Sequence, residues 1–293
     1  MNRPEFQCEG GLLTEWLIAD GLGGYAMGTS NGMRTRRYHS LLMVAAPDSE
    51  RRFALVNGAE AWIDVGGKSI PLNTHRYNLD SKYPARVARM TKYSTAPWPA
   101  WTLEWPGAIV EHSISGVHGK AATVLRWYWG GAEPARLRVR LQISGRDWHA
   151  LHRENPAFRF DHAPVHQWGW RFEPYPGVPP IVVFANAEHR QAPLWFRNFQ
   201  YDDDRARGQE YLEDLASPGE YTFDLSKHRR EAVMVLTTTP EWGGHDVAGD
   251  IRAEVAVLRE RERARIEAFK WPSERMADQF IVTRGKRRTI IAG

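Results

Sequence analysis

Cysteine is almost absent from this chain. Its 293 residues include one, Cys8, which excludes an internal disulfide and makes a reducing compartment, the cytoplasm, the expected setting. Long apolar runs are missing too: none approaches the roughly 20 residues that a membrane helix needs. The opening "MNRPEFQCEGG" has no apolar stretch of the kind a secretory signal carries. Lysine is scarce, 7 of 39 basic residues, which leaves 32 arginines. Phosphate binding uses arginine in this way, but genomic base composition is the simpler cause. The net charge is +4, acidic residues are interspersed and no basic tail stands out, so nucleic acid is not an expected partner. There is no HExxH, CxxC or GxSxG and no fixed-period repeat. Strand–helix–strand alternation is missing as well, which argues against a doubly wound sheet.

What is plentiful is strand pattern and tryptophan. In "RLRVRLQI", Leu137, Val139, Leu141 and Ile143 alternate strictly with Arg136, Arg138, Arg140 and Gln142. Trp101, Leu103 and Trp105 alternate too, as do Trp168, Trp170 and Phe172, and Tyr221, Phe223 and Leu225. Turn signals separate the runs: "GGK" at 66–68, "WPG" at 105–107, "GGAEP" at 130–134, "YPGVPP" at 175–180 and "SPGE" at 217–220. Many short strands with one apolar face, from Glu15 to about Thr239, predict a sandwich or barrel. The 13 tryptophans often sit beside polar residues, as in "APWPAWTLEW" and "HQWGWRFEPY". Such rings fill sandwich cores, and they also stack on the apolar faces of sugars.

Near Asp246 the period changes. Val247, Ile251, Val255 and Leu258 are spaced by four, four and three, and Ile266 and Phe269 resume the stripe. The pattern predicts an amphipathic helix with Asp246 as its cap and Pro272 as its stop. "RERERAR" reads as its solvated, salt-bridged face. A short helix running into a strand or loop is expected after it.

The stretch "DGLGGYAMGTSNGMRTRRYHSLLMVAA", from Asp20 to Ala46, offers three chemistries. A phosphate-binding glycine loop must follow a strand and open a helix. Here the loop runs into "TRRYHSLLMVAA", which reads as strand, so the glycines are read as a tight turn. "RTRRYH" lacks the surroundings of a nucleic-acid module. His149 and His152, three apart in "GRDWHALHREN", lack a carboxylate at a telling position, so hydrogen-bonded histidines are expected there and no metal. A glycosidase pair needs two carboxyls about 5–10 Å apart, and spacing along a chain does not show that distance.

Several blocks in order carry a family resemblance. "TEWLIADGLGGYAMGTSNGMRTRRYHSLLMVAA" resembles the opening of bacterial and archaeal glycogen debranching enzymes of the amylo-α-1,6-glucosidase type. There the stretch reads roughly EWL–x–(N/D)GLGGYASGT and then (N/T)TRRYHGLLVA; Met27 and Ser40 are departures. "GRDWHALHRENPAF", "LWFRNFQYDDDRARGQEYLEDLASPGEYTFDL" and "ADQFIVTRGKRRTIIAG" are similar to later blocks of that family.

The resemblance implies an all-β domain over 1–243, a large antiparallel supersandwich like the N-terminal domain of glucoamylase-like enzymes. A linker helix and the threshold of an (α/α) toroid would follow over 244–293. The toroid would carry the catalytic carboxylates, so no catalytic residue, cofactor or metal is expected here. The implied partners are glycogen or a branched α-glucan and the C-terminal catalytic domain. A stand-alone, lectin-like sandwich is the other reading. The glycine turn and a Thr35–Ala46 strand are expected to form a rim toward the toroid. Arg36, Arg37, Tyr38 and His39 would stand on it, joined by Asp147, His149, Glu154, Trp195 and Asn198, at the interface or on glucosyl hydroxyls.

Overall fold

The computed structural model describes residues 14–46, 51–226, 228–241, 250–285 and 287–291. Strands dominate. In chain order they are β1 (Glu15–Ala19), β2 (Tyr25–Thr29), β3 (Ser40–Ala45), β4 (Arg52–Val65), β5 (Lys68–Pro71), β6 (His75–Tyr77) and β7 (Ser81–Tyr83). Then come β8 (Arg89–Ser94), β9 (Ala100–Trp105), β10 (Ala108–Val117), β11 (Lys120–Trp129), β12 (Ala135–Asp147), β13 (His162–His166) and β14 (Gly169–Phe172). The last are β15 (Ile181–Ala185), β16 (Glu188–Gln200), β17 (Leu212–Leu225), β18 (Glu231–Thr237), β19 (Ile281–Arg284) and β20 (Arg287–Ile290). Among the described residues they are interrupted by a 3-10 turn at Asn78–Asp80 and by α1 (Asp202–Ala206), α2 (Ile251–Glu267) and α3 (Pro272–Asp278).

Two large antiparallel sheets face each other. The first has the order β1-β2-β3-β4-β12-β17-β16-β6-β7, with β5 on β4; the second runs β13-β14-β15-β18-β11-β10-β9-β8. The pleat explains the core. Leu137, Val139, Leu141 and Ile143 are at most 1% exposed and meet Leu125, Trp127 and Met234 of the opposite sheet. Their alternating neighbours put Arg138, Arg140, Gln142, Ser144 and Arg146 on the other face of the first sheet. Tyr221, Phe223 and Leu225 are likewise buried. The supersandwich expected from the sequence is the fold observed.

Three local expectations are corrected. "SPGE" is not a turn between strands. It lies inside β17, where the pairing register shifts on both sides. Pro218 and Gly219 break the ladder locally without ending it, and a Cβ on Gly219 would stand 2.4 Å from the Arg190 carbonyl oxygen. The predicted Thr35–Ala46 strand starts only at Ser40. Residues 35–39 form a turn, because His39 captures the Thr35 N–H on its Nδ1 (3.0 Å) and donates its own N–H to Arg36 O (3.1 Å). Pro272 is not a stop but the first residue of α3, where its missing N–H costs nothing.

Asp246, Val247 and the expected boundary at 243/244 lie outside the described residues. The cap of α2 is Asp250, whose Oδ1 accepts the Arg252 N–H at 3.0 Å. Asp250→Ala is expected to cost about 1 kcal/mol, measured as a lowered denaturation midpoint at unchanged m-value. Helix α2 covers the outer face of the second sheet: Ile251 and Val255 join Val124, Val182 and Val235 in a second apolar cluster. "RERERAR" is only partly solvated. Arg265 pairs with Glu262 at 2.7 Å, whereas Arg259 turns inward, donates to Ser113 and Ser115 (3.1 and 3.2 Å) and lies 4.3 Å over the Trp98 ring. A short helix and strand follow as expected, α3 and the β19–β20 hairpin. No helix among the described residues is long and apolar enough to cross a membrane.

Candidate functional site: a polar rim at one end of the first sheet

The glycine loop closes β1 onto β2 and opens no helix. Asp20 holds it from within, its Oδ1 accepting N–H groups of Leu22 (2.7 Å) and Gly24 (2.9 Å). Gly21 (φ 76°) and Gly23 (φ 100°) supply the left-handed backbone that this turn requires. Burial pushes the Asp20 carboxyl up to about 6, against the pull of those N–H groups. The Gly21 carbonyl accepts the Thr283 N–H (2.8 Å), so the C-terminal hairpin rests on the loop. Arg52 donates to Gly23 O (2.8 Å) and lays its guanidinium 4.4 Å over Trp148, joining the loop to the rim.

The 35–39 turn is pinned by acids from elsewhere. His39 is fully buried; its Nδ1 accepts, so the ring proton sits on Nε2, which donates to Glu15 at 3.0 Å. That bond is the main reason Glu15 lies below the usual carboxylate range, with the Arg36 charge adding to it against burial. Arg36 bridges Glu15 (2.7 Å) and Asp203 (3.3 Å). Arg37 gives its backbone N–H and Nε to Asp204 (2.9 and 3.2 Å) and its two terminal nitrogens to His149 O (2.8 Å) and Glu210 O (2.6 Å). The Tyr38 hydroxyl meets His149 Nδ1 at 3.2 Å, and its ring stands edge-on to Trp148 at 5.5 Å. Asp147 accepts the His149 N–H at 3.0 Å.

Beneath the turn lies a buried ion pair. Arg146 on β12 binds Glu213 on β17 through Nε and donates to the carbonyls of Arg37 (2.6 Å), Asp147 and Trp148 (both 3.2 Å). Glu213 also accepts the Tyr201 hydroxyl and the His152 N–H (2.9 Å). Burial works against the Arg146 charge, yet the facing Glu213 carboxylate raises its pKa; burial, then the same charge, push the Tyr201 hydroxyl up.

The remaining predicted residues form an adjoining cluster. His152 bonds Asp214 O (2.9 Å) and the Tyr175 hydroxyl (2.6 Å). Its ring stacks on Trp195 (centroids 5.5 Å apart), which Phe158 and Phe160 flank edge-on. Trp195 is therefore a half-buried wall of an aromatic box. Glu154 pairs with Arg197 at the surface, and Asn198, at φ 61° in a bulge of β16, donates its N–H to Asp214 (2.8 Å). Asp214 and Glu213, neighbours on β17, tie the two clusters together.

So Arg36, Arg37, Tyr38, His39, Asp147 and His149 come together directly, while Glu154, Trp195 and Asn198 sit beside them. Of these rings His149 is exposed, while Tyr38 and Trp148 are half-buried, as Trp195 is. Sequence reasoning missed Arg146, Glu213, Tyr201, Asp203 and Asp204. The alternation of "RLRVRLQI", extended by three residues, assigns Arg146 to the polar face, and "YDDD" with "EDL" supplies the acids. Among the described residues, no three His, Cys, Asp or Glu side chains gather as metal ligands.

A family model described as glycogen debranching enzyme N terminal matches residues 14–231. No curated protein matches. Among solved structures, the chain is similar to a bacterial glucoamylase complexed with acarbose (6% identity, TM-score 0.39, covering 90% of this chain and 39% of that one). It is also similar to a putative kojibiose phosphorylase from the human microbiome (7%, TM-score 0.36, 90% and 34%) and to a heparinase III (10%, TM-score 0.38, 82% and 36%). The chain thus spans between a third and two fifths of the length of these structures. With its family model matched across the first sheet, the rim and most of the second sheet, the chain belongs to the glycogen debranching enzyme N-terminal family.

Proposed function

We propose that this chain is the non-catalytic, substrate-facing and docking domain of a cytoplasmic enzyme that cleaves glucosyl branches from an α-glucan. One observation carries the reading. Three sequence segments far apart, 34–39, 146–154 and 195–214, close on one rim through Arg37, Arg146 and Glu213. The rim presents aromatic faces and few spare charges. Its carboxylates are already committed: Asp203 and Asp204 to the turn arginines, Glu154 to Arg197, Asp147 and Asp214 to backbone N–H groups. A general acid needs access to a glycosidic oxygen. The two acids whose pKa values are pushed up most, Asp20 and Glu60, are each only 5% exposed. In this reading Tyr38, Trp148 and His149 stack on sugar or on the catalytic domain, while Arg36, Arg37 and His39 hold them in place. Docking falls next to the β19–β20 hairpin.

Calorimetric titration with maltooligosaccharides tests the sugar contact. Binding in the millimolar range is expected, with about a tenfold loss in Trp148→Ala. A flat trace refutes the sugar contact and leaves the docking role, to be read from binding of the catalytic domain supplied as a separate chain. Tight binding unaffected by Trp148→Ala and Tyr38→Ala favours a lectin-like module using another face.

A further inference from the structure

A cavity of ≈ 160 Å³ lies between the two sheets and plays no part in the rim. Its mouth is marked by exposed Gly32 and half-buried Thr74, Val87 and Met90. One side is an aromatic ladder. Trp101 on β9, His112 on β10 and Trp127 on β11 are direct cross-strand partners. Val110 and Ile114, which alternate with His112, belong to the core, so the imidazole points inward too. The three rings stack, His112 standing 5.3 Å from Trp101 and 4.7 Å from Trp127 at interplanar angles of 19° and 16°. Trp16, Leu72, Leu103 and Leu125 make the apolar remainder of the wall.

Most polar groups of the wall are spent. The Trp16 and Trp101 N–H groups donate to Thr29 O (3.1 Å) and Ser30 O (2.6 Å), and Asn73 bonds Ala59 O (2.6 Å) and the Ala61 N–H (3.0 Å). Arg34 also borders the space, but its two unbonded nitrogens have no surface open to it, and neither has His75 Nδ1. Two groups of the ladder are different. His112 Nδ1 bonds Arg126 O (3.0 Å), and a carbonyl only accepts, so the ring proton sits on Nδ1 and Nε2 carries a lone pair. Burial lowers the His112 ring to about 4, against the pull of that bond, so it is neutral at pH 7. His112 Nε2 and the Trp127 indole N–H have no partner among the described residues, and neither is sealed in as the Arg34 nitrogens are.

An acceptor and a donor therefore face the cavity from neighbouring strands, each fixed on a rigid ring. The group that complements both is a hydroxyl, which donates and accepts. A charged group finds no open counter-charge among these side chains, and burying it would be costly. The walls are apolar and aromatic, so the body behind the hydroxyl is apolar and flat, and a cavity of roughly 150 Å³ takes a benzene-sized one. A sugar ring would strand its other hydroxyls against those walls. We infer that this cavity is a binding site for a small neutral ring compound with a single hydroxyl, a phenol or cyclic alcohol, whose O–H donates to His112 Nε2 and whose oxygen takes the Trp127 N–H.

Titration of the 293-residue chain with phenol, toluene, sodium benzoate and glucose at pH 7.5 tests this, by calorimetry and by the shift in melting temperature. Phenol is expected to bind about as tightly as toluene, whereas in a cavity with no open acceptor its hydroxyl would cost about tenfold or more. Benzoate is expected to bind more weakly than phenol, and glucose should not displace phenol. His112→Phe, which keeps the stack and removes the acceptor, should weaken phenol about tenfold and leave toluene unchanged. Ala88→Leu, which fills the wall, should weaken both. If either variant fails to fold, the nitrogen NMR resonance of His112 Nε2 in the unaltered chain still decides: it should move with phenol and stay with toluene. Phenol binding about tenfold or more weaker than toluene, benzoate binding as tightly as phenol, displacement of phenol by glucose, an unmoved His112 resonance, or no phenol binding up to about 10-millimolar concentrations (on the order of the weakest affinity worth calling a site) overturns the assignment.

Discussion

Glu213→Ala is expected to cost the chain about 3–5 kcal/mol, a large share of an ordinary domain's stability of roughly 5–15 kcal/mol. Glu213 is fully buried, and its two oxygens serve Arg146, Tyr201 and the His152 N–H. Truncation leaves the Arg146 guanidinium in the interior with carbonyls only, and leaves the Tyr201 hydroxyl and a backbone N–H without an acceptor. The loss should also reach the rim, because Arg146 holds the Arg37, Asp147 and Trp148 carbonyls. Removing the surface partner Glu154 should matter far less, since water screens its pair with Arg197. Urea unfolding of both variants at pH 7 separates these cases. A Glu213→Ala cost below about 1 kcal/mol would show that the pair does not organise the site.

Glu60→Gln should stabilise the chain, and only at high pH. Burial pushes the Glu60 carboxyl up to about 7 from an ordinary 4.5, more than the nearby Arg140 and Arg34 charges pull it down. The folded state therefore binds a proton that the unfolded chain has released between pH 4.5 and 7. Stability then falls as pH rises through that window, and above it the charged Glu60 costs about 3 kcal/mol. Glutamine removes the penalty. The expected gain is about 2–3 kcal/mol at pH 8, shrinking to nothing by pH 4. Equal effects at pH 8 and pH 4 would mean that Glu60 stays ionised in the fold.

Much of this was legible in the residues because period-2 patterning is local. The alternation at 136–143 and at 221–225 gave both the strands and their buried sides. Turn chemistry was less transparent. "RTRRYH" has the look of a strand entering "SLLMVAA", but His39 closes its backbone into a turn, and the distant Glu15, Asp203 and Asp204 pin that turn. "SPGE" carries every local mark of a turn, and the neighbouring strands on both sides keep it in the sheet. Arg259 sits in a charged run whose periodicity says solvent, yet two serines of the second sheet accept its hydrogen bonds and Trp98, in the loop between β8 and β9, lies under it. The rim's composition was partly foreseen through the family resemblance. Its foundation was not, since the Arg146–Glu213 contact spans strands that are 67 residues apart in sequence.

The central claim is that the sandwich supports glucan cleavage without performing it. Glucose release from a branched limit dextrin, by the 293-residue chain alone, tests it most directly. No release above the uncatalysed background is predicted, with activity appearing only when a catalytic domain is supplied. Steady release by the chain alone, abolished by changing a carboxylate within it, would contradict the account.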